Sequence, residues 1–297
     1  MTSMNEGLVK RSFAFQRRRS VGLHGVLHRV LPKPAKRLGR FVLMAGMDGM
    51  DILLRRRQIM VPPRRINFIG DGDFVSTGDE FAKYFVELGG LKPEDRVLEI
   101  GCGLGRMARP LTAYLSSGSY EGVDIVPGDI EWCQRNIGGR FPHFRFHLAN
   151  VRNSQYNPEG ALRSAEYIFP FAADEFDFVF LTSVFTHMLS DEMEHYLSEI
   201  ARMVRKGGTG VFTFFLLNGE SRSLTRAGIS SLNFAFMNTG CWTASEELPE
   251  ANVGYEESRV IELCGRFGLS VEGIRYGGWC GRHDYLSFQD LVVIRKV

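Results

Sequence analysis

The chain has 297 residues, 44% hydrophobic and 24% charged, a balance that suits a water-soluble globular protein of one large or two small domains. No apolar run approaches the ~18 residues of a membrane span, and the five cysteines lack C-x-x-C spacing, which argues against a spanning protein, a zinc site and a disulfide-stapled module. The net charge of +2 hides a division: residues 1–65 hold fifteen Lys or Arg against three acids, a net +12, and the remainder carries −10.

In chain order, the first forty residues are Arg-rich, with Arg17, Arg18 and Arg19 in succession and a Pro32-Lys33-Pro34 break. Leu23, Val26, Leu27 and Val30 fall at the spacing of one helical face. A basic amphipathic arm of this kind suits an anionic membrane surface or an acidic partner, or it is a solvated extension. Residues 41–60 read as a helix with Arg55, Arg56 and Arg57 at its C-terminal end, where cations are favoured, and Pro62-Pro63 stops it. A Gly- and Asp-rich loop, residues 68–74, precedes a helix expected from Ser76 or Thr77 to Leu88, with Glu80 placed for a capping box.

The stretch from Arg96 to Arg109 reads as strand, glycine turn, helix: Val97-Leu-Glu-Ile100, then Gly101, Gly103 and Gly105, then Met107, Leu111, Tyr114 and Leu115 on a helical period. Glycines let backbone approach a ligand closely, and the following helix points free N–H groups at the turn. A dinucleotide fingerprint needs its third glycine at position 106, which is Arg106. Two acids flank the turn. Glu99 sits in the strand and suits a cation, while Asp124 ends the next apolar run about where a ribose-binding carboxylate belongs.

Further strands are expected at 144–149, 176–181, 210–215, 269–276 and 289–296, and helices at 127–136, 191–205 and 257–267. Lys206-Gly-Gly208 reads as the C-cap of the second of these helices. About forty residues, 217–256, interrupt the alternation and read as a lid-like insertion. The last two strands leave no room for a helix between them, so they should pair antiparallel.

On Glu99, the three glycines and Asp124, the sequence resembles the class I S-adenosylmethionine-dependent methyltransferases, of the small-molecule type. The resemblance covers about residues 72–297 and implies an α/β, Rossmann-like, doubly wound seven-stranded mixed sheet, mostly parallel with a C-terminal antiparallel hairpin strand. It divides the chain into a basic helical arm, 1–65, and a catalytic domain, 66–297. It implies S-adenosylmethionine as cofactor and no metal. Glu99, Gly101, Cys102, Gly103, Gly105, Asp124, Ile125, Asn150, Val151 and Ser183 would then hold the cofactor. Asn150 stands where the family commonly has an acid, although an amide oxygen still accepts from an amine. The acceptor pocket would draw on Phe74, Thr77, Trp279 and Arg282. The segment after residue 181 lacks an Asn/Asp-Pro-Pro-aromatic motif, which turns the expected acceptor toward a hydroxyl oxygen of a sugar, natural product or lipid headgroup. His187 and then His283 are the candidate bases. The alternatives are an RNA or protein methyltransferase that uses the basic arm, or a non-catalytic cofactor-binding scaffold. The expected location is the cytoplasm, with a membrane-peripheral position open to the arm.

Overall fold

The computed structural model describes residues 33–54, 58–67 and 73–297, with the side chains of 33–38, 40 and 41 excepted. The expected helical face at Leu23–Val30, the Arg17–Arg19 and Arg55–Arg57 runs and most of the 68–74 loop lie outside these residues.

The chain divides into two units by its contacts, residues 1–56 with 63–68 and residues 57–62 with 69–297. In the first unit, helix α1 runs Lys33–Leu53, earlier at both ends than the expected 41–60. Asp48 and Asp51 on this helix hold the returning segment. Asp48 accepts from the backbone N–H of Arg64 at 2.8 Å and of Arg65 at 3.3 Å and pairs with the Arg65 guanidinium at 3.1 Å, and Asp51 pairs with Arg64 at 3.2 Å.

The larger unit is built on a sheet in which β1 (Arg96–Ile100), β2 (Ser119–Asp124), β3 (Phe144–Leu148), β4 (Phe176–Leu181), β5 (Val204–Phe214), β10 (Leu269–Arg275) and β11 (Asp290–Lys296) lie in the order β10-β11-β5-β4-β1-β2-β3. The pairs β4/β5, β1/β4, β1/β2 and β2/β3 are parallel, and β11 is antiparallel to both β5 and β10, as the absence of a helix between the last two strands requires. Side chains alternate across the central strands. Val97, Phe178, Phe180 and Val211 pack with α2 (Phe74–Glu87), α3 (Ala108–Tyr114) and α4 (Pro127–Cys133). Leu98, Ile100, Val179, Leu181, Phe212 and Phe214 pack with α5 (Ser190–Met203) and α7 (Glu257–Arg266). Both faces are therefore covered, which is why β1 and β4 read as near-continuous apolar runs.

Two local expectations are corrected. Helix α2 starts at Phe74 because Asp73 caps it, its carboxylate accepting from Ser76 N–H at 2.8 Å; Thr77 lies inside the first turn, and Glu80 accepts from the Tyr84 hydroxyl at 2.6 Å instead of closing a capping box. Lys206-Gly-Gly208 does not cap a helix: α5 ends at Met203, and these residues lie within β5. A Cβ at Gly208 would stand 2.9 Å from the Asp177 carbonyl oxygen, so this glycine serves close strand approach, while Gly207 takes φ +77°. The insertion at 217–256 folds as a small second sheet, β6 (Leu216–Leu217), β9 (Val253–Glu256), β8 (Cys241–Thr243) and β7 (Phe236–Asn238) in that order, with helix α6 (Gly219–Arg226) between β6 and β7 in sequence.

Candidate functional site

The carboxyl ends of β1 to β4 bring the candidate residues to one edge of the sheet. At the end of β1 the chain turns through Gly101 (φ +82°), Gly103 (φ +47°) and Gly105 (φ +74°), a left-handed region that glycine enters without penalty. Two of these glycines answer to the protein itself. A Cβ at Gly101 would stand 2.3 Å from Val184 Cγ2, and one at Gly105 would stand 2.5 Å from Ile137 Cδ1. Ile137 belongs to a wide helical turn, Gln134–Gly138, that continues α4. The turn is thus wedged between the exit of β4 and the end of α4. Cys102, beside it, is buried, and its thiol pKa is pushed far up by desolvation.

Asp124 ends β2 and clamps the turn. One carboxylate oxygen accepts from Gly103 N–H at 2.6 Å and the other from Val126 N–H at 2.9 Å. It is half-buried, with its pKa raised by desolvation, and each oxygen retains a lone pair for a further donor. A carboxylate at a strand end beside a left-handed glycine turn suits a vicinal diol, and on that donor chemistry the residues fit the ribose of S-adenosylmethionine. Ile125, next along, is partly buried against the core.

Glu99 departs from expectation. It is 1% exposed, and the Tyr120 hydroxyl donates to its carboxylate. Burial raises its pKa to about 8, with the nearby Asp124 charge adding to the shift. At neutral pH it is mostly an uncharged carboxyl inside the α2–α4 layer, not an anion open to an ammonium. The opposite residue, Gly122, admits this arrangement, since a Cβ there would stand 3.0 Å from the Tyr120 hydroxyl.

Asn150, after β3, is exposed, and its side-chain oxygen accepts from Ala161 N–H at 3.1 Å. Its first duty is to close the loop 150–162, in which buried Val151 bridges Leu162. Phe74 is buried with the Arg106 guanidinium 5.8 Å from its ring centre, and half-buried Thr77 lies one turn along α2. A Cβ at Gly78 would stand 2.3 Å from the Arg106 carbonyl oxygen, so the N-terminal turn of α2 packs directly against the end of the glycine turn.

After β4, Ser183 takes φ +59°, a conformation rare outside glycine. Its N–H donates to Thr213 Oγ1 at 2.8 Å and its hydroxyl to Gln289 Oε1 at 3.1 Å, which together hold the strained residue at the strand mouth. His187 closes the short helical turn Phe185–His187. Its Nδ1 lies 3.0 Å from the Glu250 carbonyl oxygen. A carbonyl only accepts, so Nδ1 carries the proton and the neutral ring presents Nε2 as a lone pair. Desolvation lowers the His187 pKa, which favours that neutral form. The Tyr156 ring stands edge-on at 5.9 Å, and the Glu250 carboxylate accepts from Asn153 Nδ2 at 3.1 Å and Ser154 Oγ at 2.5 Å. The loop after β3 and the insertion therefore meet beside His187.

The terminal hairpin corrects two further expectations, those for Trp279 and Arg282. Trp279 is fully buried among Phe215, Phe234 and Leu217, and its Nε1 donates to Asp290 at 2.8 Å, so it is core. Arg282 is turned inward, its Nε bonded to Glu220 at 2.8 Å and its Nη1 to Asp290 at 3.3 Å and the Gly277 carbonyl at 3.0 Å, with Nη2 buried and unpartnered, so it is held as part of the hairpin. His283 is exposed on the same loop. Tyr120, Tyr156, Thr213, Glu250 and Gln289 escaped the sequence reading. Each meets its partner across a long chain separation, and no spacing rule reports such a contact.

Residues 98–212 match the family model described as a methyltransferase domain. A phthiotriol/phenolphthiotriol dimycocerosates methyltransferase of Mycobacterium ulcerans is 32% identical over 130 residues, 43% of this chain and 39% of that protein. A fatty-acid O-methyltransferase of Mycolicibacterium smegmatis is 29% identical over 118 residues, 40% of this chain and 36% of that protein. The chain thus spans well under half the length of the curated relatives it matches. Among solved structures, the PH0226 protein of Pyrococcus horikoshii superposes with a TM-score of 0.54 at 15% identity, over 78% of this chain and 95% of that one, a likeness of fold.

Proposed function

We propose that this chain, whose residues 98–212 match a methyltransferase domain, is a class I S-adenosylmethionine-dependent methyltransferase that moves a methyl group onto a hydroxyl oxygen of a small, lipid-like acceptor. The observation that carries the reading is the clamp of Asp124 on Gly103 at the mouth of the sheet. S-adenosylmethionine, when bound, supplies a methyl group on a good leaving group, so the protein's task is alignment and exclusion of water. Asp124 would take the ribose hydroxyls with its remaining lone pairs. Gly101, Gly103 and Gly105 would shape the floor on which the cofactor lies. Asn150 Oδ1 has one lone pair left for an adenine amine. His187 Nε2 would take the acceptor's proton, since its ring is oriented by Glu250 and is already neutral at pH 7. An oxygen acceptor on an apolar carrier agrees with the name of the fatty-acid O-methyltransferase relative.

Calorimetric titration with S-adenosylmethionine, with NAD as control, tests the cofactor. Micromolar binding of the first alone is expected, and Asp124→Ala should weaken it at least tenfold while keeping the wild-type circular dichroism spectrum. Labelled methyl transfer to hydroxylated lipids tests the chemistry. His187→Gln should cut turnover about 10²-fold or more, the usual scale of general-base loss, with cofactor affinity unchanged. Binding of NAD, or turnover untouched in His187→Gln, would overturn the respective part.

A further inference from the structure

We propose that the face of α1 bearing Val42, Leu43, Met47, Met50, Leu53 and Leu54 lies flat on an anionic lipid bilayer. This inference does not rest on the methyl-transfer reading. All six side chains are exposed: Val42 61%, Leu43 62%, Met50 58% and Leu53 79%, with Met47 and Leu54 less so. At about 100° per residue they share an arc of roughly 140°, the width of an interfacial helix's apolar face. Large apolar side chains gathered on one face and left to water are a surface awaiting a partner.

The charges identify that partner. Residues 1–65 are net +12, with Lys33, Lys36, Arg37 and Arg40 in or near the first turns of α1 and Arg55, Arg56 and Arg57 just beyond its end. Two of the three acids in this stretch, Asp48 and Asp51, fall off the apolar arc and are engaged by Arg64 and Arg65. These two carboxylates are thus paired within the chain, and basic residues flank the apolar stretch on both sides in sequence. A second copy of the chain would bring one +12 segment against another. No described helix is long and apolar enough to cross a membrane, so α1 would lie in the interface, its 21 residues extending about 30 Å along it. Basic residues near anionic headgroups and apolar side chains in the acyl boundary act additively there.

The test is flotation of the full-length protein with vesicles of equal phosphatidylglycerol and phosphatidylcholine, and with vesicles of phosphatidylcholine alone. The protein should float with the first, bind the second at least tenfold more weakly, and detach as salt is raised. The double variant Leu43→Gln/Leu53→Gln should lose tenfold or more of the binding at an unchanged melting temperature. In Leu53→Trp, indole emission should shift to the blue on binding. No flotation would overturn the proposal. Equal flotation of the double variant with no blue shift would also overturn it, by assigning the binding to charge alone. So would a wild-type oligomer in light scattering that the double variant dissociates, or strong heparin binding without vesicle binding.

Discussion

Glu99 is the residue whose environment departs furthest from what its position in the chain implies. In the unfolded chain its carboxyl has an ordinary pKa of 4.5, and in the fold it rises to about 8. Between those values the folded protein holds a proton that the unfolded chain has released. Stability contributed by this neutral carboxyl therefore falls as pH rises through that window and levels off above about 8. Glutamine has no proton to lose and can accept from the Tyr120 hydroxyl as the acid does. Glu99→Gln should match wild type near pH 4 in a denaturant titration and exceed it above pH 8 by on the order of a few kcal/mol. Identical slopes of stability against pH would remove Glu99 as their source. Asp124 was readable as an acid at a strand end, but its grip on Gly103 was not, because a partner twenty-one residues away is fixed by strand pairing.

At the scale of elements, the terminal hairpin hangs on one buried carboxylate. Asp290 accepts from Leu216 N–H at 2.7 Å, Gly277 N–H at 2.6 Å, Trp279 Nε1 at 2.8 Å and Arg282 at 3.3 Å. It joins β11, the 276–289 loop and β6. Removing the acid leaves a buried guanidinium short of a partner and three N–H donors unpaired. Asp290→Ala should cost about 3–5 kcal/mol and lower the melting temperature by on the order of 10 °C, read by calorimetry. A loss under about 1 kcal/mol would show that water takes over the freed donors. The strands themselves were legible from runs such as Phe176–Leu181. Their ends were less so, as at Gly208, where the signal for a helix stop is the same as that for close strand approach.

For the whole molecule, every residue assigned to cofactor or acceptor lies between 74 and 297, while the excess positive charge lies in 1–65. The contact division also puts 57–62 with the larger unit, where Met60 packs on the core and Pro62 is buried. Deleting residues 1–56, and not 1–65, should leave S-adenosylmethionine affinity within about twofold of wild type in titration while abolishing vesicle flotation. A tenfold loss of cofactor affinity would tie the segment to the site. Periodicity placed the main strands and required the antiparallel hairpin, and the glycine spacing with its two acids carried the resemblance that implied the cofactor class, because those signals are local in the chain. Which acid is sealed inside a helix layer, which glycines serve packing, that Trp279 and Arg282 are structural, and that Glu250 orients His187 were decided only by tertiary structure. Burial and partner choice are properties of surfaces that meet, and residues far apart in sequence carry no mark of the neighbour they will find.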